Sequence, residues 1–296
     1  MQTNNLKFGT ILVATDLSPA ESTTLRYAQA IARLHGSTLV IVHVIDPVGY
    51  AFPDGAPEFA IADMNARDEL RRIESELRSE GIQTHSVVET GVICERILQA
   101  VRDHHADLLI VGTGTKSVLG KVALGTVARQ LLARTPCPIL TVSPEAGMHF
   151  PWAGGGWRRV LVATDFSPAS LAALNYAHRV AHDQLVALHA PLCSDASACS
   201  KLVEHLRFLA PFNESHTVPV DHVVVSGNAA DLIAEYANKL NADVVVLGAP
   251  VNELTPDEFQ SSTVLQVISQ VSCPVLCVRS FSVDSQLEIL EGAVHA

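Results

Sequence analysis

Residues 11–19 read ILVATDLSP, and residues 160–168 repeat this stretch as VLVATDFSP. An apolar run, a short polar turn and Ser-Pro are typical of a buried strand that leads into a helix, with serine at the N-cap and proline in the first turn. Three more pairs of segments recur in the same order, namely LVIVHV (39–44) with LVALHA (185–190), ADLLIVG (106–112) with ADVVVLG (242–248), and TPCPILTV (135–142) with VSCPVLCV (271–278). Four matched segments in one order indicate an internal duplication.

The duplication predicts two domains in the 296 residues. Proline and glycine cluster in PEAGMHFPWAGGGW, residues 144–157, which is typical of a linker. An amphipathic pattern in SVDSQLEILEGAVHA predicts a helical tail that docks on either half. The expected boundaries are a first domain at 1–148, a linker at 149–157, a second domain at 158–281 and a tail at 282–296.

Short apolar runs alternate with helical patterns in each half. In the first half the predicted strands are 10–14, 38–45, 84–89, 107–111 and 138–142, and the predicted helices lie near 19–35, 65–80, 93–104 and 122–134. Strands that are apolar throughout indicate burial on both faces, as in a parallel sheet covered by helices. We therefore predict an α/β fold with two tandem doubly wound domains, each a five-stranded parallel sheet flanked by helices. The stretch PVGYAFPDGAPEF within residues 46–64 is interpreted as a loop or flap.

Composition restricts the class of protein. With 48% hydrophobic and 17% charged residues, the chain has enough apolar side chains to form folded cores. No apolar run is long enough to span a bilayer and the N-terminus shows no signal peptide, so we expect a cytoplasmic protein without a membrane partner. The net charge of −11 argues against a nucleic-acid partner. Six cysteines without a CxxC pair are expected to be mostly buried thiols.

Three segments are predicted to meet at the carboxyl ends of the strands, where open parallel sheets bind ligands. These are Ala14-Thr15-Asp16, His43-Val44 and GTGTKSVLGKVALGT at 112–126. The Asp16 carboxylate can accept a hydrogen bond from a ribose hydroxyl, or it can serve the turn before the helix. Because His43 recurs as His189, a structural role is expected for both histidines.

The combination of ILVATDLSP, VHVID, a glycine loop ending in Gly-Thr, and TPCPILTV resembles the universal stress protein family in its tandem form. The resemblance spans about residues 7–142 and 158–280. It implies a Rossmann-like α/β sandwich whose domains pair through their last strands, within one chain or in a homodimer. Nucleotide-binding members of the family hold ATP or a related adenine nucleotide, and other members bind none. For this chain it implies Val44 near adenine, Asp16 at the ribose and the loop at 112–127 on the phosphates.

The family's nucleotide-binding loop has glycine, two residues, glycine, nine residues, then glycine with serine or threonine. Gly112 fits the first position, and Gly125 with Thr126 fit the last. Thr115 stands where the middle glycine is expected, with Gly114 one residue earlier. If residue 115 needs a positive φ, threonine costs about 1–3 kcal/mol; alternatively, Gly114 adopts that conformation.

The start of the following helix favours an anion. The amides of Thr126 and Val127 lie where the helix dipole attracts negative charge. Lys116 and Lys121 are the charged residues of this loop. The alternative without a ligand is that Gly125-Thr126 only caps the helix and that both lysines are solvated.

The matching loop of the second half, GAPVNELTPDEFQSS at 248–262, departs further from the pattern. Gly248 is kept, but Val251 and Ser261 replace the other glycines, and the loop has three carboxylates and no base. Because carboxylates repel a triphosphate, we expect no ATP in the second half.

The main hypothesis is a stress-response protein that binds ATP, with or without Mg²⁺, in its first domain and uses its second domain as an intrachain pairing partner. Hydrolysis is expected to be slow at most, and the chain has no GxSxG, HExxH or GxxxxGK[ST] motif. The protein partner is not identifiable from the sequence. The alternative is a non-nucleotide interaction or scaffold protein of the same fold.

Overall fold

A computed structural model describes residues 7–18, 22–50, 55–114, 124–148, 157–191, 196–210, 218–249 and 262–279. The predicted tail at 282–296 lies outside these ranges, as does the predicted linker apart from Trp157.

The first half alternates strands and helices as predicted, with each predicted strand end correct to within one residue. Its elements are β1 Thr10–Ala14, α1 Ser22–His35, β2 Thr38–Ile45, α2 Gly55–Ser79, β3 Thr84–Thr90, α3 Ile93–Asp103, β4 Leu108–Gly112, α4 Thr126–Arg134 and β5 Ile139–Val142. Runs of Val, Ile and Leu form the strands because these side chains pack well on a pleated surface.

The loop predicted within residues 46–64 is wrong from Gly55 onward, and residues 51–54 lie outside the described residues. Pro47–Tyr50 form a 3-10 turn, and α2 already begins at Gly55, about ten residues earlier than predicted. Pro57 is the third residue of this helix, and the first amides of a helix have no intrahelical partner, so proline is tolerated there. Glu58 in the first turn adds a favourable charge at the positive end of the helix dipole.

The second half repeats the plan with a shorter helix after its second strand. Its elements are β6 Trp157–Ala163, α5 Pro168–Val180, β7 Ala181–His189, α6 Ala196–Leu209, β8 Val220–Val224, α7 Ala229–Leu240, β9 Val244–Ala249, α8 Thr263–Gln270 and β10 Val275–Arg279. Ser167 is the N-cap of α5, with its side chain accepting from the Ser170 amide at 3.3 Å and Pro168 in the first turn, which confirms the predicted helix start. The matching Pro19 lies outside the described residues.

The strands form one ten-stranded sheet in the order β3-β2-β1-β4-β5-β10-β9-β6-β7-β8. All pairs within each half are parallel, and β5 and β10 pair antiparallel with Leu140 opposite Leu276. This arrangement confirms the predicted fold of two doubly wound domains and the expected pairing through their last strands. Each of these strands would be an exposed edge in an isolated half, and their pairing satisfies the backbone groups of both.

The core consists of two apolar layers, one on each face of the sheet. Leu12 faces the layer covered by α3, α4, α7 and α8, whereas its neighbours Ile11 and Val13 face the layer covered by α1, α2, α5 and α6. This alternation follows from the two-residue period of a strand. Four of the five described cysteines are buried, and all four lie in the first layer. In the described part of the chain, no helix is both long and apolar enough to cross a bilayer.

Candidate functional site

A cavity of about 310 Å³ opens at the carboxyl ends of the strands of the first half. It lies where the chain switches direction, because β2 follows β1 on one side while β4 pairs with β1 on the other. Its lining includes eight residues predicted from the sequence, which are Ala14, Thr15, Asp16, Val44, Gly112, Gly114, Gly125 and Val127. Thr126 is the exposed first residue of α4 and is not part of the lining. Thr115 lies outside the described residues.

The turn after β1 is held by its own side chains. The Thr15 hydroxyl oxygen accepts from the Leu17 amide at 3.0 Å, and Asp16 Oδ1 accepts from the Ser18 amide at 2.8 Å. Leu17 has a φ of 61°, a conformation that these side-chain hydrogen bonds support. Asp16 is nevertheless exposed at the cavity wall. Its turn role is therefore observed, and the position is compatible with a ligand hydroxyl as a further partner.

The repeated histidine near the end of the second strand is structural in both halves. His43 Nδ1 lies 2.9 Å from the carbonyl oxygen of Thr15, and His189 Nδ1 lies 2.8 Å from that of Thr164. Because a carbonyl only accepts, Nδ1 carries the proton and donates in both contacts. The expectation of a structural role is confirmed, since each histidine joins the ends of two neighbouring strands.

The glycine loop begins with a positive φ at Gly114. The Thr113 amide donates to the carbonyl of Val142 at 3.0 Å, and Gly114 follows with φ 87°. Gly114 thus has the positive φ that one of the two alternatives for this loop requires, and Thr115, on which the other depends, lies outside the described residues. The Gly125 amide then returns to the Thr113 carbonyl at 3.1 Å, which closes the loop at its base.

The N-cap residue of helix α4 supplies no side-chain cap. Gly125 is its N-cap, with φ −61° and ψ 157°, and it has no side chain that can accept from the first helical amides. In the second half, Ser262 caps α8 by accepting from the Leu265 amide at 3.5 Å. The N-cap residue of α4 therefore supplies no acceptor for the first amides of that helix, whereas the N-cap residue of α8 does.

Thr113 is a site residue that the sequence reasoning missed. Its side chain lines the cavity and is only 2% exposed, and its hydroxyl has no hydrogen-bond partner among the described residues. A buried hydroxyl without a partner costs about 1–3 kcal/mol. The matching residue of the second half is Ala249. This difference between the repeats is the signal from which Thr113 can be found.

The remainder of the cavity is apolar. Six branched side chains form this part of the lining, namely Val42, Val44, Ile93, Ile97, Val111 and Leu131. Only Val44 was predicted, because the others are indistinguishable from core residues in the sequence. An apolar wall beside a few polar groups suits a flat ring with a polar substituent.

The corresponding cavity of the second half is smaller, about 130 Å³. The Thr164 hydroxyl lies 2.9 Å from the Ser170 hydroxyl and accepts from the Phe166 amide at 3.0 Å. Burial alone would raise the pKa of Asp165, but hydrogen bonds from Ser167 and Ser170 hold that pKa below its ordinary value. These polar groups are satisfied within the protein, in contrast to Thr113 in the first half.

Among the described residues, no group of three or more His, Cys, Asp or Glu side chains is placed to hold a metal ion. The cavity of the first half has Asp16 as the one titratable side chain in its described lining.

Comparison with known proteins places both halves in one family. The model of the universal stress protein family matches residues 7–143 and again residues 156–279. A universal stress protein of Thermus aquaticus is 32% identical over 139 residues, which cover 46% of this chain and 98% of that protein. One from Methanocaldococcus jannaschii is 25% identical over 150 residues, covering 45% of this chain and 93% of that protein. The solved universal stress protein of Archaeoglobus fulgidus matches 92% of this chain and 96% of its own, with a TM-score of 0.71 and 20% identity, which shows a shared fold across both halves.

Proposed function

Because this chain belongs to the universal stress protein family, with one family domain in each half, we propose that its first domain binds an adenine nucleotide such as ATP. The observation that carries the proposal is the unpartnered hydroxyl of Thr113 beside the uncapped start of α4. The hydroxyl has no hydrogen-bond partner among the described residues, and Gly125 gives the helix amides no side-chain cap. Both groups suit a phosphate oxygen, which accepts hydrogen bonds and carries negative charge.

The remaining lining fits the other parts of a nucleotide. Adenine would lie against the apolar wall near Val44, and the ribose hydroxyls would lie at Asp16. The phosphates would lie against the backbone between Gly112 and Gly114 and at the amides that follow Gly125, where the absence of a side chain permits close approach. The two lysines of the loop, Lys116 and Lys121, lie outside the described residues.

Binding without rapid turnover is the activity that the lining supports. Hydrolysis of a γ-phosphate needs a group that orients or deprotonates the attacking water. The described lining offers only Asp16, which already accepts from the Ser18 amide and which we assign to the ribose. Magnesium, when present, would enter with the nucleotide.

The second domain is proposed to pair with the first and to bind no ATP. Its cavity is less than half the size of the first, and the Ser262 side chain already accepts from the Leu265 amide at the start of α8. The nucleotide state of the first domain would then be reported by a surface of the paired domains. Slow turnover suits such a role, because a signalling state must persist.

The test begins with the protein purified without added nucleotide. The protein is denatured and the supernatant is analysed by chromatography and mass spectrometry, and ATP with magnesium is then titrated into the native protein by calorimetry. One nucleotide per chain supports the proposal, and two per chain would contradict the assignment of the second domain. If neither experiment detects an adenine nucleotide, the proposal fails and a scaffold protein without nucleotide becomes the better description.

A further inference from the structure

Arg279, the last residue of β10, is a buried cation at the junction of the two domains. Its side chain is only 7% exposed, and Nη2 donates to the carbonyl oxygen of Leu132 at 2.7 Å. Its Nε has no hydrogen-bond partner, and no carboxylate pairs with the guanidinium, among the described residues. Burial lowers the pKa of Arg279 from its ordinary value, although the group stays charged. An unpaired buried charge is costly, so its position calls for a compensating interaction.

That interaction is with the end of α4. The Leu132 carbonyl belongs to the last turn of the helix, and its ordinary partner would be the amide four residues on. Residue 136 is a proline and has no amide hydrogen. Arg279 therefore supplies the missing donor, and its charge lies at the negative end of the helix dipole.

Only the second half has an arginine at this position of its last strand. Ser143 occupies the first-half position that matches Arg279, and its hydroxyl oxygen accepts from the nearby Glu145 amide at 3.2 Å. Ser272, which has an amide hydrogen, stands where the first half has Pro136. Helix α4 therefore lacks a backbone donor at its end and receives one from Arg279, whereas the sequence after α8 keeps the backbone donor.

Helix α4 is also the helix that forms a wall of the candidate site. Its residues Val127, Ala128 and Leu131 line the cavity, and its uncapped start faces the proposed phosphates. Because α4 has only nine residues, a shift at its carboxyl end moves its amino end as well.

We propose that Arg279 is a positioning residue through which the second domain fixes α4 and so sets the nucleotide affinity of the first domain. The effect on nucleotide affinity rests on the proposed function. The effect of Arg279 on the position of α4 does not, because it is present in the protein without nucleotide.

The test compares Arg279→Met, Arg279→Gln and Arg279→Lys in the full chain. The matched control is Arg158→Met, which removes an exposed arginine of the same domain that pairs with Asp183. Amide hydrogen exchange is measured over residues 126–135 and 275–279 without nucleotide, and ATP is titrated into each variant by calorimetry. Arg279→Gln keeps a donor without the charge, and it serves as the second variant if Arg279→Met does not fold.

In Arg279→Met we expect exchange in α4 to accelerate and ATP affinity to fall, each by about tenfold, while β10 exchanges as in the native protein. Arg279→Lys should restore most of the native protection of α4 and most of the ATP affinity. Arg158→Met should change neither the exchange rate of α4 nor the ATP affinity. Native exchange in α4 of Arg279→Met would overturn the proposal. So would faster exchange spread evenly over both domains, since the residue would then only hold the fold. If the native protein binds no ATP, the proposed function fails on that titration, and the exchange of α4 still decides whether Arg279 fixes the helix.

Discussion

The backbone amide of Gly125 donates to the carbonyl oxygen of Thr113 at 3.1 Å. This hydrogen bond brings the end of β4 directly against the start of α4, although a loop of eleven residues separates Thr113 from Gly125. Thr113, whose hydroxyl has no partner among the described residues, and Val127 in the first turn of α4 line the same cavity. The predictions on ligand binding follow from this arrangement.

Replacing Thr113 with valine removes the hydroxyl and keeps the shape of the side chain. If the hydroxyl serves a ligand, ATP affinity should fall about five- to tenfold, while the nucleotide-free protein should be as stable as before or more stable. Calorimetric titration and thermal unfolding measure the two effects.

The control for this change is Thr164→Val in the second domain. The Thr164 hydroxyl contacts Ser170 and Phe166, so its loss should lower the free energy of unfolding by about 1 kcal/mol without affecting ATP. Loss of stability in Thr113→Val with unchanged ATP affinity would show that the Thr113 hydroxyl serves the fold instead.

Replacing Gly125 with aspartate should stabilise the protein and weaken ATP binding. An N-cap carboxylate accepts from the first amides of α4 and should stabilise the protein by about 0.5–2 kcal/mol. The same carboxylate occupies the proposed phosphate position, so ATP affinity should fall about tenfold or more. Thermal unfolding and calorimetry of the same preparation measure both.

Gly125→Ala is the matched control, because its added Cβ meets no atom within 4 Å and φ is ordinary. It should change ATP affinity much less than the aspartate does. Native ATP affinity in Gly125→Asp would mean that phosphates do not lie at the start of α4.

Gly248→Ala should destabilise the second domain. A Cβ at Gly248 would overlap the backbone of Ala169 and Ser170 at the start of α5, where no flexible side chain can move aside. Overpacking of this kind costs about 1–3 kcal/mol. Urea unfolding should show the loss, whereas Gly49→Ala, whose Cβ meets no atom within 4 Å, should unfold at nearly the native urea concentration. Equal stability of the two variants would contradict the close approach of α5 to β9.

Buried thiols should make the protein less stable in alkali. Burial raises the pKa of Cys137 to about 11 and those of Cys273 and Cys277 to about 12, from an ordinary value of 9.0. A raised pKa means that the folded state keeps protons which the unfolded state releases. The stabilisation is therefore complete below pH 9.0 and decreases as the pH rises towards these values.

Urea unfolding at about pH 8 and about pH 10.5 tests this dependence. The free energy of unfolding should fall less steeply with pH in Cys277→Ala than in the native protein. Parallel pH profiles for the two proteins would show that the Cys277 thiol does not contribute to the alkaline loss.

Much of the fold was predictable because its signals are local. The strand ends follow from runs of β-branched residues, and the Ser167–Pro168 helix start follows from capping chemistry. The early part of α2 was missed because proline and glycine were interpreted as loop formers. Pro57, however, lies in the first turn of the helix, where the backbone amides have no intrahelical partner. The duplication then predicted the second half from the first.

By itself, the sequence determined the two repeated domains, their strands and the segments that meet at the carboxyl edge of the sheet. Each of these follows from patterns within short segments, and the same segments recur in both halves. Only the tertiary structure decided which buried polar groups found a partner. The Thr113 hydroxyl found none among the described residues, whereas the Leu132 carbonyl found Arg279, 147 positions away in the chain. Whether a buried donor or acceptor is satisfied depends on segments that folding brings together, and no local pattern encodes that outcome.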